Sequence, residues 1–230
     1  MIFEYPQIDV PRGVSLPAEF DMFMKVLPPF IEKGCLCLDI GANLGTSSIA
    51  MSILAGATVG GVMSFEINPE VYSFLIKNLE LNQIKNCTAY NTGCSDRDEY
   101  KTFGGGRSNG GIMDGFSIEE ERGHCQLVEL PCINTAQFLL KHDLNNLKFI
   151  KMDIEGWEPV VLKNIKPILD MYKPLIYTEW WFHKSKNDNL FDAIDFIGYN
   201  PLNPDTMEKV CREDFDTKHV HDLLLQPIKK

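Results

Sequence analysis

Leu38-Asp39-Ile40-Gly41-Ala42-Asn43-Leu44-Gly45-Thr46-Ser47-Ser48 is the stretch that decides the fold of this chain. It leaves an apolar run, Cys35 to Ile40, turns on two glycines and enters a helical pattern, Thr46 to Ala55. A strand that turns directly into a helix is the first half of a parallel βαβ unit. The pattern then repeats. Val62 to Phe65 reads as a second strand, Pro69 to Leu81 as a helix with proline in its first turn, and Cys87 to Asn91 as a third strand. Crossovers of this kind are right-handed almost without exception, so the segments build one parallel sheet.

Further along, Asp98 to Phe103 and Gln126 to Cys132 read as two strands that pair with each other. Between them lies GGGRSNGGIMDG, Gly104 to Gly115, with six glycines in twelve residues, the composition of a mobile loop. Thr135 to His142 is a short helix, Lys148 to Asp153 a core strand, Pro159 to Lys166 a helix and Pro174 to Glu179 another strand. Leu190 to Ile197 is helical, and Tyr199 to Leu202 with Leu223 to Gln226 close the sheet. Ahead of all this, Ala18 to Leu27 has apolar residues at helical spacing, and residues 1–17 form a proline-rich arm. There is no internal repeat or linker, so residues 1–230 are expected to be one domain.

Composition narrows the function. The formal charge of −10 comes from 22 basic and 32 acidic residues, and the longest basic run is Lys229-Lys230. A nucleic-acid binder carries a basic stripe, so bulk DNA, RNA and anionic membrane surfaces are not the expected partners. The cysteines, at 35, 37, 87, 94, 125, 132 and 211, are odd in number and form no CxxC pair, which points to reduced core thiols. No window reaches the roughly 18 apolar residues of a membrane span. The start, MIFEYPQIDVPRGV, lacks the basic and apolar regions of a leader. The expectation is a soluble, cytoplasmic protein.

The glycine turn carries the first chemical signal. A pyrophosphate-binding GxGxxG would place glycine at 41, 43 and 46, whereas the chain has Gly41, Asn43 and Thr46. Asp39 sits two residues before Gly41, where a carboxylate repels a pyrophosphate and attracts an ammonium. S-adenosylmethionine (SAM) carries an ammonium and a sulfonium. Glu66 follows at the tip of the second strand, 21 residues after Gly45, the place from which an acid binds ribose hydroxyls. Thr92-Gly93-Cys94-Ser95-Asp96, after the third strand, is placed to meet an adenine through the backbone at Gly93 and a side chain of Ser95 or Asp96.

LDIGANLGTSSIA, VMSFEINPEVYSFLIKNLELN and FIKMDIEGWEPVVLKN, in this order, resemble the FkbM family of SAM-dependent methyltransferases. Asp39, Gly41, Ala42, Asn43 and Gly45 match the family's D-x-G-A-N-x-G. Phe65, Glu66 and Pro69 match most of F-E-P-x-P, with Ile67 where proline is usual. Lys151, Asp153, Glu155, Gly156 and Glu158 match K-x-D-x-E-G-x-E in full. The resemblance covers about residues 35–180. It implies a Rossmann-like class I methyltransferase fold: a seven-stranded, mostly parallel α/β sheet, its last strand antiparallel, with helices on both faces. It implies methyl transfer from SAM to a hydroxyl of a sugar, glycan or natural-product small molecule. The implied cofactor set is Asp39, Gly41, Ala42, Asn43, Gly45, Thr46, Glu66, Ile67, Gly93, Ser95 and Asp96, with Asp153 at the methyl end.

A sugar hydroxyl is a poor nucleophile and needs a base or a metal ion. In an extended segment Lys151, Asp153 and Glu155 share one face, so Asp153 is the first candidate base and Glu155 the second. Glu158 stands where a negative charge favours a helix start. Glu179 ends the next strand, and His183 follows four residues later. Trp180 and Trp181 offer faces for a sugar ring, and Arg107 a contact for an anionic acceptor. Asp153, Glu155 and Glu179 are also a candidate ligand set for Mg²⁺. Two other readings compete: a SAM-binding module without catalysis, and methylation of RNA or protein. The net charge weighs against RNA, and the intact acidic motif against a pure binder.

Overall fold

The computed structural model describes residues 1–4, 16–56, 60–105, 126–179, 184–214 and 222–228. Ten strands are present there: β1 Leu36–Ile40, β2 Gly61–Phe65, β3 Cys87–Tyr90, β4 Gly93–Ser95, β5 Glu99–Gly105, β6 Gln126–Asn134, β7 Leu147–Met152, β8 Leu175–Glu179, β9 Tyr199–Leu202 and β10 Asp222–Pro227. The helices are α1 Leu16–Val26, α2 Thr46–Ala55, α3 Pro69–Leu81, α4 Thr135–Leu139, α5 Glu158–Asn164, α6 Lys166–Tyr172 and α7 Lys184–Ile197.

Seven strands form one sheet in the order β3-β2-β1-β7-β8-β10-β9. The first five are parallel, and β10 enters antiparallel between β8 and β9. This is the expected seven-stranded sheet. Its central strands are mostly apolar because both faces are covered. Alternation divides the side chains between two cores. Leu38, Ile40, Ile150, Met152 and Ile176 pack against α5, α6 and α7. Cys35, Cys37, Phe149, Tyr177 and Leu224 pack on the face of α1 and α2. The cysteines of the described residues are free thiols, and Cys35 and Cys37 are buried core groups.

A second sheet, β4-β6-β5, stands beside the first. Strands β5 and β6 pair antiparallel, as expected, while the three-residue β4 is too short to leave a pattern in the sequence. Two helices also differ from expectation. Pro167 lacks the amide hydrogen needed to continue α5, so the predicted helix over 159–166 ends at Asn164 and α6 begins at Lys166. α7 starts at Lys184 rather than Leu190, because its first residues are polar and carry no apolar period. The glycine-rich segment lies outside the described residues beyond Gly105.

α3 is capped by Asn68, whose side chain accepts from the amides of Glu70 and Val71, with Pro69 at the first helical position. The same helix anchors the start of the chain. Asn78, fully buried, donates to the carbonyls of Leu44 (2.8 Å) and Glu4 (3.0 Å) and accepts from the amide of Glu4 (2.6 Å). One turn on, Asn82 exchanges hydrogen bonds with the backbone of Ile2. Asn78 thus ties the glycine turn and the N-terminal residues to one helix. The variant Asn78→Ala leaves buried backbone groups unpaired and is expected to lower stability by about 1–3 kcal/mol in chemical denaturation.

Candidate active site

The carboxyl ends of β1, β2 and β7 meet at Gly41. Its amide and that of Ala42 both donate to the carbonyl of Phe65 at 3.0 Å, and the amide of Asp153 donates to the carbonyl of Ile40 at 2.9 Å. Gly41 has φ +85°, and a Cβ there would lie 1.9 Å from the carbonyl oxygen of Asp153. Only glycine lets the three strand ends approach so closely. Asn43, with φ 49°, turns its amide to Glu66 Oε2 at 2.9 Å, and Asn68 donates its amide to Oε1 at 2.8 Å. The Glu66 carboxylate is thereby fixed by one bond on each oxygen and keeps further acceptor positions. Its burial raises its pKa even against these two amides and Lys151.

A cleft of about 890 Å³, partly open to solvent, begins at this carboxylate. Of the predicted residues, Gly41, Asn43, Glu66, Ile67, Gly93, Asp153 and Glu155 line it. Its apolar wall is Ile67, Val71, Phe103, Ile154 and Trp157. Phe103 and Trp157 escaped the sequence reading. Phe103 arrives on β5 of the second sheet, and Lys101 of that strand sits 3.7 Å above the Trp157 ring. A Cβ at Gly93 would come within 2.6 Å of Ile67 Cδ1, so the glycine keeps that end of the slot open.

The other expected residues stand away from the cleft lining. Ala42, Gly45, Thr46, Ser95, Asp96 and Glu179 are not among the cleft-lining residues, nor is Asp39. Asp39 is 0% exposed, and its Oδ2 accepts from the hydroxyls of Ser47 (2.7 Å) and Ser48 (2.5 Å). It braces the turn from below through the two serine hydroxyls. Gly45 and Thr46 begin α2, with the glycine in the left-handed conformation against Leu75. Ser95 is buried and donates to Asp96 and Glu99 within the second sheet, while Asp96 pairs with Arg97. The backbone reaches the cleft earlier, at Thr92, Gly93 and Cys94.

At the other end of the cleft the acids gather around Lys151. Its buried ammonium donates to the carbonyl of Gly41 (3.0 Å) and to Asp153 Oδ2 (3.3 Å), and lies 3.8 Å from Asp39 Oδ1. Burial opposes its charge, but Asp153, Asp39 and Glu19 outweigh burial and raise its pKa. Glu19, on α1, carried no motif in the sequence. It reaches the hydroxyl of Thr46 and feels Lys151, Asp153 and Asp39, with its pKa raised by burial. Glu179 follows Thr178 as Asp153 follows its strand partner Met152, so the two acids stand on neighbouring strand ends. Burial first, then the Asp153 carboxylate, push the Glu179 carboxyl up to about 8. Glu155 and Gly156 are consecutive left-handed residues, φ 58° and 94°, so the alternation expected for 151, 153 and 155 stops after Asp153.

The predicted Mg²⁺ set of Asp153, Glu155 and Glu179 is not assembled: among the described residues no three His, Cys, Asp or Glu side chains converge as metal ligands. Trp180, Trp181, His183 and Arg107 lie outside the described residues. No helix among the described residues is long and apolar enough to cross a membrane.

Sheet order, helices on both faces and a cleft at the carboxyl edge define the class I methyltransferase fold. The chain belongs to the methyltransferase FkbM family, whose domain profile matches residues 39–200. Among solved structures it is similar to a methyltransferase FkbM from Methylobacillus flagellatus, at 14% identity and a TM-score of 0.55, covering 91% of this chain and 58% of that one. It spans, therefore, little more than half the length of that protein. A SAM-dependent O-methyltransferase from Thermotoga maritima matches at 10% identity and a TM-score of 0.53, covering 97% of this chain and 69% of the other. Precorrin 8w decarboxylase from Methanobacterium thermoautotrophicum matches at 14% identity and a TM-score of 0.53, covering 99% and 100%. At these identities the likeness shows the fold alone. No curated protein matches.

Glu158 gives the acidic end a measurable signature. It is buried, and its Oε1 accepts the amide of Ile154 at 2.8 Å, holding the turn that carries Glu155. Burial, followed by Asp153 and Glu155, pushes its carboxyl up to about 7 although two backbone amides favour the anion. A carboxyl raised on folding stabilises the protein below its unfolded pKa, and this contribution is lost as pH rises through the folded value. Between pH 4.5 and about 7, Tm is therefore expected to fall less in Glu158→Gln than in the parent protein. Equal slopes in thermal melts would show that Glu158 is not protonated in the fold.

Proposed function

We propose that this protein is a SAM-dependent methyltransferase whose acceptor is a hydroxyl of a sugar, glycan or natural-product small molecule. One observation carries the reading: a single cleft joins an anchored strand-tip carboxylate, Glu66, to a second strand-tip carboxylate, Asp153. The residues fit the cofactor. Glu66 has acceptor positions left for two ribose hydroxyls. Ile67, Phe103 and Trp157 offer the apolar faces a purine stacks on. Gly93 leaves room beside Ile67 for a flat ring. The acids around Lys151 provide a negative environment for a sulfonium and an ammonium.

SAM, when bound, supplies an electrophilic methyl group on sulfur. The residues of the chain then have two tasks, orientation and removal of one proton. Glu66 and the apolar wall fix the nucleoside end. Asp153, with its side chain 42% exposed and beside Lys151, is the group able to take the proton of an acceptor hydroxyl. A hydroxyl becomes an effective nucleophile only as its proton leaves, and Asp153 is placed to accept that proton. The net charge of −10 favours a small acceptor over RNA.

Glu66→Gln is expected to weaken SAM binding about tenfold or more by calorimetry, since a charged acceptor becomes neutral. Unchanged affinity would remove Glu66 from the nucleoside site. Asp153→Asn is expected to lose about a hundredfold or more in turnover on sugar acceptors, read as S-adenosylhomocysteine release. Its SAM affinity should stay within about threefold of the parent value. SAM binding by the parent protein with no turnover on any acceptor would favour a module without catalysis.

A further inference from the structure

We propose that Asp153 and Glu179 act as one two-carboxylate proton acceptor, and that Asp222 on β10 is the positioning residue that strengthens its hold on a proton. This rests on the methyl-transfer reading above and assigns a role to a residue outside the family-matched segment 39–200.

The geometry begins with strand register. β7 and β8 are parallel, with Met152 opposite Thr178, so Asp153 and Glu179 are the next residues of adjacent strands. That register sets the two carboxyl groups side by side, and the Asp153 carboxylate raises the proton affinity of Glu179. Asp153 lines the cleft, and Glu179 is not among the lining residues. On its other side Glu179 meets Asp222, its direct partner across the antiparallel β8–β10 pair. Like charges directly opposite on paired strands repel. Tyr177, two residues before Glu179 on β8, faces the same Asp222 carboxylate.

The surroundings leave this repulsion poorly compensated. Glu155 adds a third carboxylate to those facing Glu179, and Glu158 lies close to Asp153 and Glu155. Asp205 faces Tyr177, and Glu19 faces Asp153 from α1. Lys151 faces the pair from β7, but its ammonium is shared among Gly41, Asp153 and Asp39. Two carboxylates between further carboxylates bind a first proton avidly and a second one weakly.

The chemistry balances with no further reactant. The fully ionised pair takes the proton of the acceptor hydroxyl. The oxygen's electron pair forms the bond to the methyl carbon, and the carbon–sulfur bond breaks with its electrons left on sulfur. The pair gains one unit of positive charge through the proton, the oxygen stays neutral, and the sulfonium becomes a neutral thioether. Solvent then removes the shared proton from Asp153 at the exposed end.

The test is the pH profile of kcat/KM in the full chain. The parent protein should show a rising limb with a midpoint near 8. Removing a neighbouring negative charge makes the pair more acidic, so Asp222→Asn should move that limb about one pH unit lower. Asp222→Ser should give the same shift where the asparagine variant fails to fold. Glu179→Gln should abolish the limb and lower the maximum about tenfold or more. Carboxyl NMR titration of the free protein supplies a readout without turnover: Asp153 and Glu179 should titrate in two coupled steps, with the upper step lowered in Asp222→Asn. Turnover with superimposable parent and Asp222→Asn profiles, or a single ordinary carboxylate step by NMR, would overturn the proposal while leaving methyl transfer standing. Two intact NMR steps with no turnover on any acceptor would sink the methyl-transfer reading and the base assignment with it.

Discussion

The carboxyl edge of the sheet is organised around the buried ammonium of Lys151. It binds the carbonyl of Gly41 on one side and Asp153 on the other, and it balances Asp39 beneath the turn. Asp39 needs this partner. It is sealed from water, and its Oδ1 has no hydrogen-bond partner among the described residues. Removing one member of a buried ion pair costs about 3–5 kcal/mol because the other is left uncompensated. The lysine thus fixes the distance between the glycine turn and the acidic strand end. The cleft between Glu66 and Asp153 takes its shape from that distance.

Much of the fold was legible because its signals are local. The strand–turn–helix alternation predicted β1, α2, β2, α3 and β3 to within a residue or two at their ends. Glycine and proline marked the turns through backbone constraints that act wherever they occur. Elements without such signals were missed. β4 has three residues, and the first turns of α7 are polar, so neither offers a period to read. Pro167 was a legible break, yet it sat inside a segment whose apolar residues suggested one continuous helix.

The site was legible where backbone dictates position and obscure where side chains choose among partners. Gly41 and Gly93 stand at the cleft for reasons the sequence states, since a Cβ at either would collide with a neighbouring strand or side chain. A carboxylate at a strand tip such as Asp39 can face a ligand or turn under the loop, and the sequence alone does not choose between them. The deciding feature was Ser47-Ser48, two hydroxyls on a nearly all-buried helix that needed a buried acceptor. Trp157 sits in the acidic motif at a position the family leaves unspecified. Glu19 comes from a helix before the first strand, and only the tertiary packing of α1 on α2 brings it to Lys151.

The same acids that make the site useful make it unfavourable to fold. Glu19, Glu66, Glu158 and Glu179 all have raised pKa values, with burial the first cause in each. Each therefore binds protons more readily folded than unfolded, and each withdraws stability as pH rises. A protein optimised for stability alone would replace some of them with apolar or amide side chains. On the proposed methyl-transfer reading, their concentration at one edge of the sheet suits a ligand that brings positive charge. A cation in the cleft favours the ionised carboxylates, offsets their repulsion and so stabilises the folded state by binding to it alone. The sulfonium and ammonium of SAM meet that requirement, whereas a pyrophosphate-bearing dinucleotide would add to the repulsion. After methyl transfer the sulfur is neutral, and the attraction between the cleft and the spent cofactor weakens. On that reading the acidic edge would favour binding before the reaction and release after it.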